Sequence, residues 1–434
     1  MRLPLLALAA LAACAAPQPR MPGPIPPDPP LLAAVPAGHT GYSNASLAEL
    51  FVTLTHETEW GGEQARLVRL EPPVTVTLEG PGAERYRGFV ADYLAFLRRE
   101  AGIEIGLGAT GANLRLRFVP GQAFERLLPA ASCVVVPEDL DWDTFAKAPS
   151  ALGGLAMLDA TDVAAFTVFI PDSAIPADIR RCLLEEIAQS LGPRNDLYGL
   201  GSSIFNDDFG HLWPTRLDLL MLRVLYAPGL RTGLTRRESE RAARKALRTL
   251  NPAGRSAPPL PDPEQQIPEG WRTLVGKAAN RTTSKTARKQ AATDALALAR
   301  TARRSSPALC HSLTTLATLL RLTEPERAER LFAEADQACA ASHGDEDPRR
   351  LSLAVARAGL ALSQADAARA LALTNGAAEG LAAHGLDEAL ASVYAIRQRA
   401  FDALNRPDEA ARAAALARVW GTYAFGRDPG PWPD

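Results

Sequence analysis

The sequence predicts two folded parts, an α+β domain followed by an all-α domain of helical repeats, behind an export signal and a tether. Three observations carry this. At 434 residues the chain is too long for one compact domain. From about Tyr42 to Leu250, segments of period-two alternation interleave with amphipathic helical periodicity, the pattern of mixed structure. From Ala291 to Phe425 the periodicity is helical throughout and alanine is abundant. Residues 1–14 are therefore expected to form a signal peptide, 15–40 a tether, 41–250 the α+β domain, 251–285 a linker, 286–425 the helical domain and 426–434 a tail. A net charge of −2 leaves no basic excess to neutralise phosphates, so nucleic acid is not an expected partner.

The first residues, MRLPLLALAALAAC, place Arg2 before an apolar run too short to span a bilayer, with small residues before Cys14. Leu11-Ala12-Ala13-Cys14 resembles a bacterial lipobox, which implies that Cys14 is acylated and becomes the mature N-terminus. The other reading is an ordinary signal peptide with a chance cysteine. The Pro- and Ala-rich stretch that follows favours the anchor, because it offers a semi-extended spacer without a core. The expectation is a lipid-anchored envelope protein facing the periplasm. Ala15, not being acidic, points to the outer membrane.

The folded part opens with a short helix over Leu47–Thr55, with His56 and Trp60 behind it. Residues 73–78 alternate as a strand, and Glu84–Ile103 is amphipathic, with Phe89, Val90, Tyr93, Leu94 and Leu97 on its apolar side. Strands are expected at Asn113–Val119, Ser132–Pro137 and Ala164–Pro171, the last running into a helix through Arg180–Leu191 that Gly192 and Pro193 terminate. Thr215 and Asp218 open a further helix, and Thr235 with Glu238 forms the capping box of another that ends near Leu250. Asn251–Glu269 is rich in Pro and reads as linker, and Trp271–Lys289 is basic without a clear apolar face.

The helix before Gly192 carries the chemistry in question. It reads Glu185-Glu186-x-x-Gln189-x-x-Gly192-x-x-Asn195, the spacing of HExxHxxGxxH. Downstream, Ser203-Ile204-Phe205-Asn206 looks like a tight turn with Phe205 in the methionine position, and Asp218, Leu222, Leu225 and Tyr226 follow on a helix. Together residues 180–226 resemble the core of the metzincin peptidases, and the preceding order of strand, helix, three strands and helix is that of the metzincin upper subdomain. The stretches CLLEEIAQSLGPRND, SIFNDD and LLMLRVLYAPGLRTGLTRRE also resemble an uncharacterised family of bacterial lipoproteins known only as a domain of unknown function.

The metzincin resemblance implies a zinc site at Glu185, Gln189 and Asn195 with Glu186 as general base, yet all three histidines are replaced. Zinc prefers imidazole and thiolate, and two neutral amide oxygens with one carboxylate suit harder cations better. The six histidines, at 39, 56, 211, 311, 343 and 384, all lie outside the helix, and His211 reads as a solvated loop residue. A bland reading pairs Glu185 and Glu186 with Arg180, Arg181 or Arg194 on the surface. Against it, Glu186, Gln189, Asn195, Asp196, Asn206, Asp207 and Asp208 gather many short polar groups near one helix end. Three readings follow in order: a self-satisfied polar network in place of metal, a Ca²⁺ site, and a working zinc peptidase. The functional expectation is a binding or scaffolding lipoprotein without a resident cofactor. The alternative is a metal-dependent hydrolase of peptide or cell-wall bonds with Glu186 activating water.

In the helical half, the second members of three helix pairs open on similar text at Glu326, Asp366 and Asp408, a spacing of about forty residues near the tetratricopeptide range. A plain Ala-rich bundle is the other reading, and either supplies a surface for a protein partner. Four cysteines remain beside Cys14. Cys133 on a strand and Cys182 on the Glu186 helix are expected to pair, as are Cys310 and Cys339 on consecutive helices; the alternative is four buried thiols.

Overall fold

A computed structural model describes residues 40–426 apart from 59–61, 109, 130, 150–162, 207–209, 264–266, 281, 302–305 and 346. The signal peptide with Cys14, nearly all of the tether, Trp60, Asp207, Asp208 and residues 427–434 of the tail lie outside the described residues. Among the described residues no helix is long and apolar enough to cross a membrane.

The first half is a five-stranded sheet with helices on both faces. In chain order, α1 (Asn44–His56) leads to β1 (Val74–Glu79), α2 (Arg87–Ala101), β2 (Ile105–Leu107), β3 (Leu114–Val119), α3 (Gly121–Leu127), β4 (Val134–Val136), α4 (Trp142–Lys147) and β5 (Phe166–Pro171). The strand order is β2-β1-β3-β5-β4, parallel throughout except for β4, which runs antiparallel along β5 at one edge. Alternation explains how β5 is covered on both sides. Phe166, Val168 and Ile170 enter the main core with α1 and α2, and Phe169 points to the other face, against Phe124 and Phe145.

β5 passes directly into α5 (Pro176–Ser190), which starts on Pro176, a residue suited to the first helical turn. Ile179, Leu183, Leu184 and Ile187 recur at helical spacing and are buried in the main core. The Tyr93 hydroxyl of α2 donates to the Leu184 carbonyl at 3.0 Å. A disulfide joins Cys133, just before β4, to Cys182 on α5 and ties this helix to the sheet edge. Helices α6 (Arg216–Leu225) and α7 (Arg236–Leu250) complete this half, each opened by a full capping box, Thr215 with Asp218 and Thr235 with Glu238.

The second half is all helix: α8 (Trp271–Ala279), α9 (Lys285–Ala299), α10 (Pro307–Leu320), α11 (Pro325–His343), α12 (Pro348–Ser363), α13 (Ala367–Leu373), α14 (Ala377–Ala383), α15 (Asp387–Ala403) and α16 (Pro407–Phe425). The Cys310–Cys339 disulfide staples α10 to α11, and Ala308, Ala317, Ala328 and Ala335 are fully buried between neighbours that approach closely. Helices open at Pro325, Ala367 and Pro407, beside the similar segments of the sequence. The units differ in length, because the middle one breaks at Thr374–Gly376 into α13 and α14.

The expected linker of 251–285 is folded from Trp271 onwards. Trp271, Val275 and Ala278 of α8 form a short apolar face in the second core, and Trp271 Nε1 donates to Ser312 Oγ of α10 at 2.8 Å. Three inward residues in nine are too few to register as periodicity. For the same reason the three residues of β2 carried no alternation signal.

Candidate functional site

The Gly192 turn follows from packing. Gly192 sits at φ +154°, and a Cβ there would lie 2.7 Å from Leu225 Cδ2, so glycine suits the turn by which the chain leaves α5 beneath α6. The three positions of the zinc-type pattern then diverge. Glu185 is half-buried on α5, and Glu186 beside it is buried. Gln189 Nε2 donates to both oxygens of Asp196, at 3.1 and 3.0 Å, within the core. Asn195 Nδ2 donates to the Thr53 carbonyl of α1 at 3.2 Å. Asn206 turns to its own loop and donates to the Leu200 carbonyl at 2.9 Å. Of the expected polar cluster, Gln189 thus pairs with Asp196, while Asn195 and Asn206 donate to main-chain carbonyls.

The arginines offered as surface partners for Glu185 and Glu186 have other roles. Arg194 is buried, its Nη1 donating to Gln64 Oε1 at 3.1 Å and Nη2 to the Val68 carbonyl at 2.9 Å. Its guanidinium lies over the Phe166 ring, 4.9 Å from the centroid, and burial lowers its pKa to about 10. Arg180 and Arg181 point into the helical half and meet Asp387 and Glu388 at the start of α15.

The Ser203–Asn206 turn is held from below. Phe205 is fully buried, and its amide donates to Ser203 Oγ at 2.9 Å. Asp218 of α6 accepts from the Ser203 hydroxyl, from the Ile204 amide at 3.1 Å and from the Thr215 amide at 2.7 Å, so one carboxylate anchors both the turn and its own helix cap. Burial raises the Asp218 pKa, against the pull of those hydrogen bonds. The Tyr226 hydroxyl donates to the Leu70 carbonyl at 2.9 Å, and burial raises its pKa too.

This donor set does not fit zinc. Gln189 and Asn195 are amides that serve as donors to neighbouring oxygens, and the adjacent carboxylate of Asp196 is the acceptor of one of them. Among the described residues no group of three or more His, Cys, Asp or Glu is placed to hold a metal ion.

The sequence reading missed the seam between the two halves, which covers the loop after Asn195. His211, expected in solvent, has a side chain only 6% exposed, with Nε2 3.7 Å from Asp347 Oδ2 at the start of α12. Burial would raise the Asp347 pKa, but His211, Arg349 and His343 overcome it and hold the carboxyl at about 2. Tyr198 packs edge-on against Trp271, at 5.2 Å between centroids. Glycines allow this closeness. A Cβ at Gly201 would sit 2.0 Å from His343 Nδ1, and one at Gly210 2.0 Å from Arg349 Cζ. Glycines 201 and 210 in a polar loop were the one signal in the sequence that a second surface presses against it.

No curated protein and no solved structure matches the chain. The segment from α1 into α7, residues 44–245, matches the model of a family described as Protein of unknown function (DUF2927).

Proposed function

We propose that this chain is a lipid-anchored envelope protein whose metzincin-like first half is a non-catalytic platform and whose helical half is the interaction module. The observation that carries this reading is the Gln189–Asp196 pair. The position where a metal ligand would stand is occupied by an amide that donates to a buried carboxylate, which uses the geometry for cohesion. The resemblance to metzincins rests on α5 with its Gly192 turn, on Phe205 beneath the Ser203–Asn206 turn, and on the helix from Asp218 to Tyr226. Two disulfides favour an oxidising compartment outside the cytoplasm, in keeping with Cys14 as the lipid-bearing residue and a tether that lifts the folded part from the membrane.

The test is complementation of a deletion strain. Glu186→Gln keeps the shape of the side chain and removes only its basicity, so it should support the same phenotype as the native chain. Cys14→Ser should leave the folded part intact but free of the membrane fraction, with loss of phenotype. A folded, membrane-bound Glu186→Gln protein without function would instead assign the first half a hydrolytic role.

A further inference from the structure

Helix α7 carries a charge pattern that neither its packing nor the Gly192 turn uses. Arg237, Arg241, Lys245 and Arg248 follow one another at helical spacing and share an arc of about 80° along about 16 Å of helix. All four are exposed, whereas Ser239, Ala243 and Leu247 on the opposite side are buried. The acids of the helix do little to offset them. Glu238 accepts from the Thr235 amide at 2.9 Å as part of the cap, and Glu240 pairs with Arg244 at 2.7 Å. Glu238 also lies within electrostatic reach of Arg241, but Arg237, Lys245 and Arg248 form no ion pair among the described residues. The helix dipole accounts for cations in the last turn. It does not account for Arg237 in the first, where a positive charge is disfavoured.

The stripe ends where the chain enters the fold. Asn251, which follows α7, reaches with Nδ2 to the carbonyls of Thr40 and Tyr42, each at 3.4 Å, and to Asn44 Oδ1 at 3.0 Å. Arg255, exposed and again without an ion pair among the described residues, stands just beyond. We propose that α7 is a membrane-docking face, whose cations meet the anionic phospholipid headgroups of the membrane that holds Cys14. The proposal rests on the reading of Cys14 as the lipid-bearing residue. Residues 15–39 reach no further than about 90 Å, while charge attraction fades over about 8 Å at physiological salt. The anchor therefore supplies nearness, and the stripe decides which face of the folded part returns to the surface. The apolar side of α7 is committed to the core, so the contact is made by charge without insertion and is reversed by salt.

Lys245 is the one lysine of α7, and Lys147 and Lys277 are exposed on other helices, so amine chemistry reads the face directly. The full chain as expressed is reconstituted with vesicles of phosphatidylcholine alone or with about one third phosphatidylglycerol, then treated with an acetylating reagent. Lys245 should react about fivefold more slowly on the anionic vesicles, while Lys147 and Lys277 react equally on both. Salt at about 0.5 M should erase the difference. Arg237→Gln with Arg241→Gln and Arg248→Gln should remove most of it, and glutamine at exposed helix positions lets the chain fold. Equal reaction of Lys245 on both vesicles, slowing of all three lysines together, or slowing that survives the triple replacement would overturn the proposal. Protection of Lys245 by inorganic phosphate without vesicles would assign the stripe to a soluble anion and overturn it as well. Flotation with the neutral vesicles reads the anchor separately. A chain that floats with Lys245 equally reactive on both refutes the docking face and keeps the anchor. A chain that ignores neutral vesicles, yet binds anionic ones until the arginines are replaced, refutes the anchor and keeps the face. Binding to neither refutes both.

Discussion

Arg180 of α5 and Asp387 of α15 form an ion pair across the seam between the two halves, with side chains only 4% and 8% exposed. The same guanidinium donates to the Tyr423 carbonyl at 2.9 Å and lies 3.7 Å from the centroid of the Tyr423 ring. Helix α5 is therefore gripped by α15 and α16, the last two helices among the described residues. Asp387 gains from its place in the first turn of α15, where the helix dipole favours a negative charge.

Arg180→Ala should destabilise the protein by about 3–5 kcal/mol, because it strands Asp387 without its counter-ion in a dry contact. The double replacement Arg180→Met, Asp387→Leu should recover most of that loss, since an apolar pair carries no desolvation penalty. Urea unfolding of the single and double variants reads both effects. A single variant as stable as the native chain would mean that the seam opens readily.

Loss of either disulfide should cost about 4 kcal/mol, slightly more for Cys133–Cys182, whose separation is 49 residues, than for Cys310–Cys339 at 29. The first loss should also loosen α5 from β4, read as faster amide exchange in Cys182→Ala than in Cys310→Ala over Pro176–Ser190.

Gln189→Leu removes the amide Nε2 that donates to both oxygens of the buried Asp196 carboxylate, at a cost of about 1–3 kcal/mol. Thermal unfolding checks this. A tolerant Gln189→Leu would show that the pair is incidental to the fold.

Asp347 links stability to acid. Its folded pKa of about 2 lies below its unfolded value, so its contribution is complete above about pH 4 and is lost as pH falls towards 2. Asp347→Asn can still cap α12, because asparagine accepts the Arg349 amide as aspartate does. The native chain should exceed this variant by about 2 kcal/mol at neutral pH, and the gap should close between pH 4 and pH 2. A gap that is constant with pH would assign Asp347 no ionic role.

Much of this architecture was legible because local signals were strong. The alternation of residues 113–119 and the apolar run to Pro171 identified β3 and β5, and the Gly192-Pro193 stop ended α5 within two residues of its place. The two disulfides followed from cysteines on neighbouring elements. What escaped was short or non-local. β2 and α8 hold too few residues for a period to register. The partnership of Arg180 with Asp387 spans 207 residues, and nothing near either residue announces it. His211 read as loop because its burial comes from Asp347, supplied by the other half of the chain. The polar residues around Glu186 were singled out as a group, but the bonds of Asn195 and Asn206 depended on where α1 and the 197–206 loop passed.

We propose that the zinc-type pattern on α5 is kept for cohesion and holds no catalytic metal. Elemental analysis of the purified full chain, loaded with zinc and then dialysed, tests it most directly. The expected result is well under one zinc per chain and an unfolding transition that zinc does not move, whereas any ligand that binds the native state tightly would raise it. One zinc per chain, removed by chelator and lost in Gln189→Leu, would contradict it.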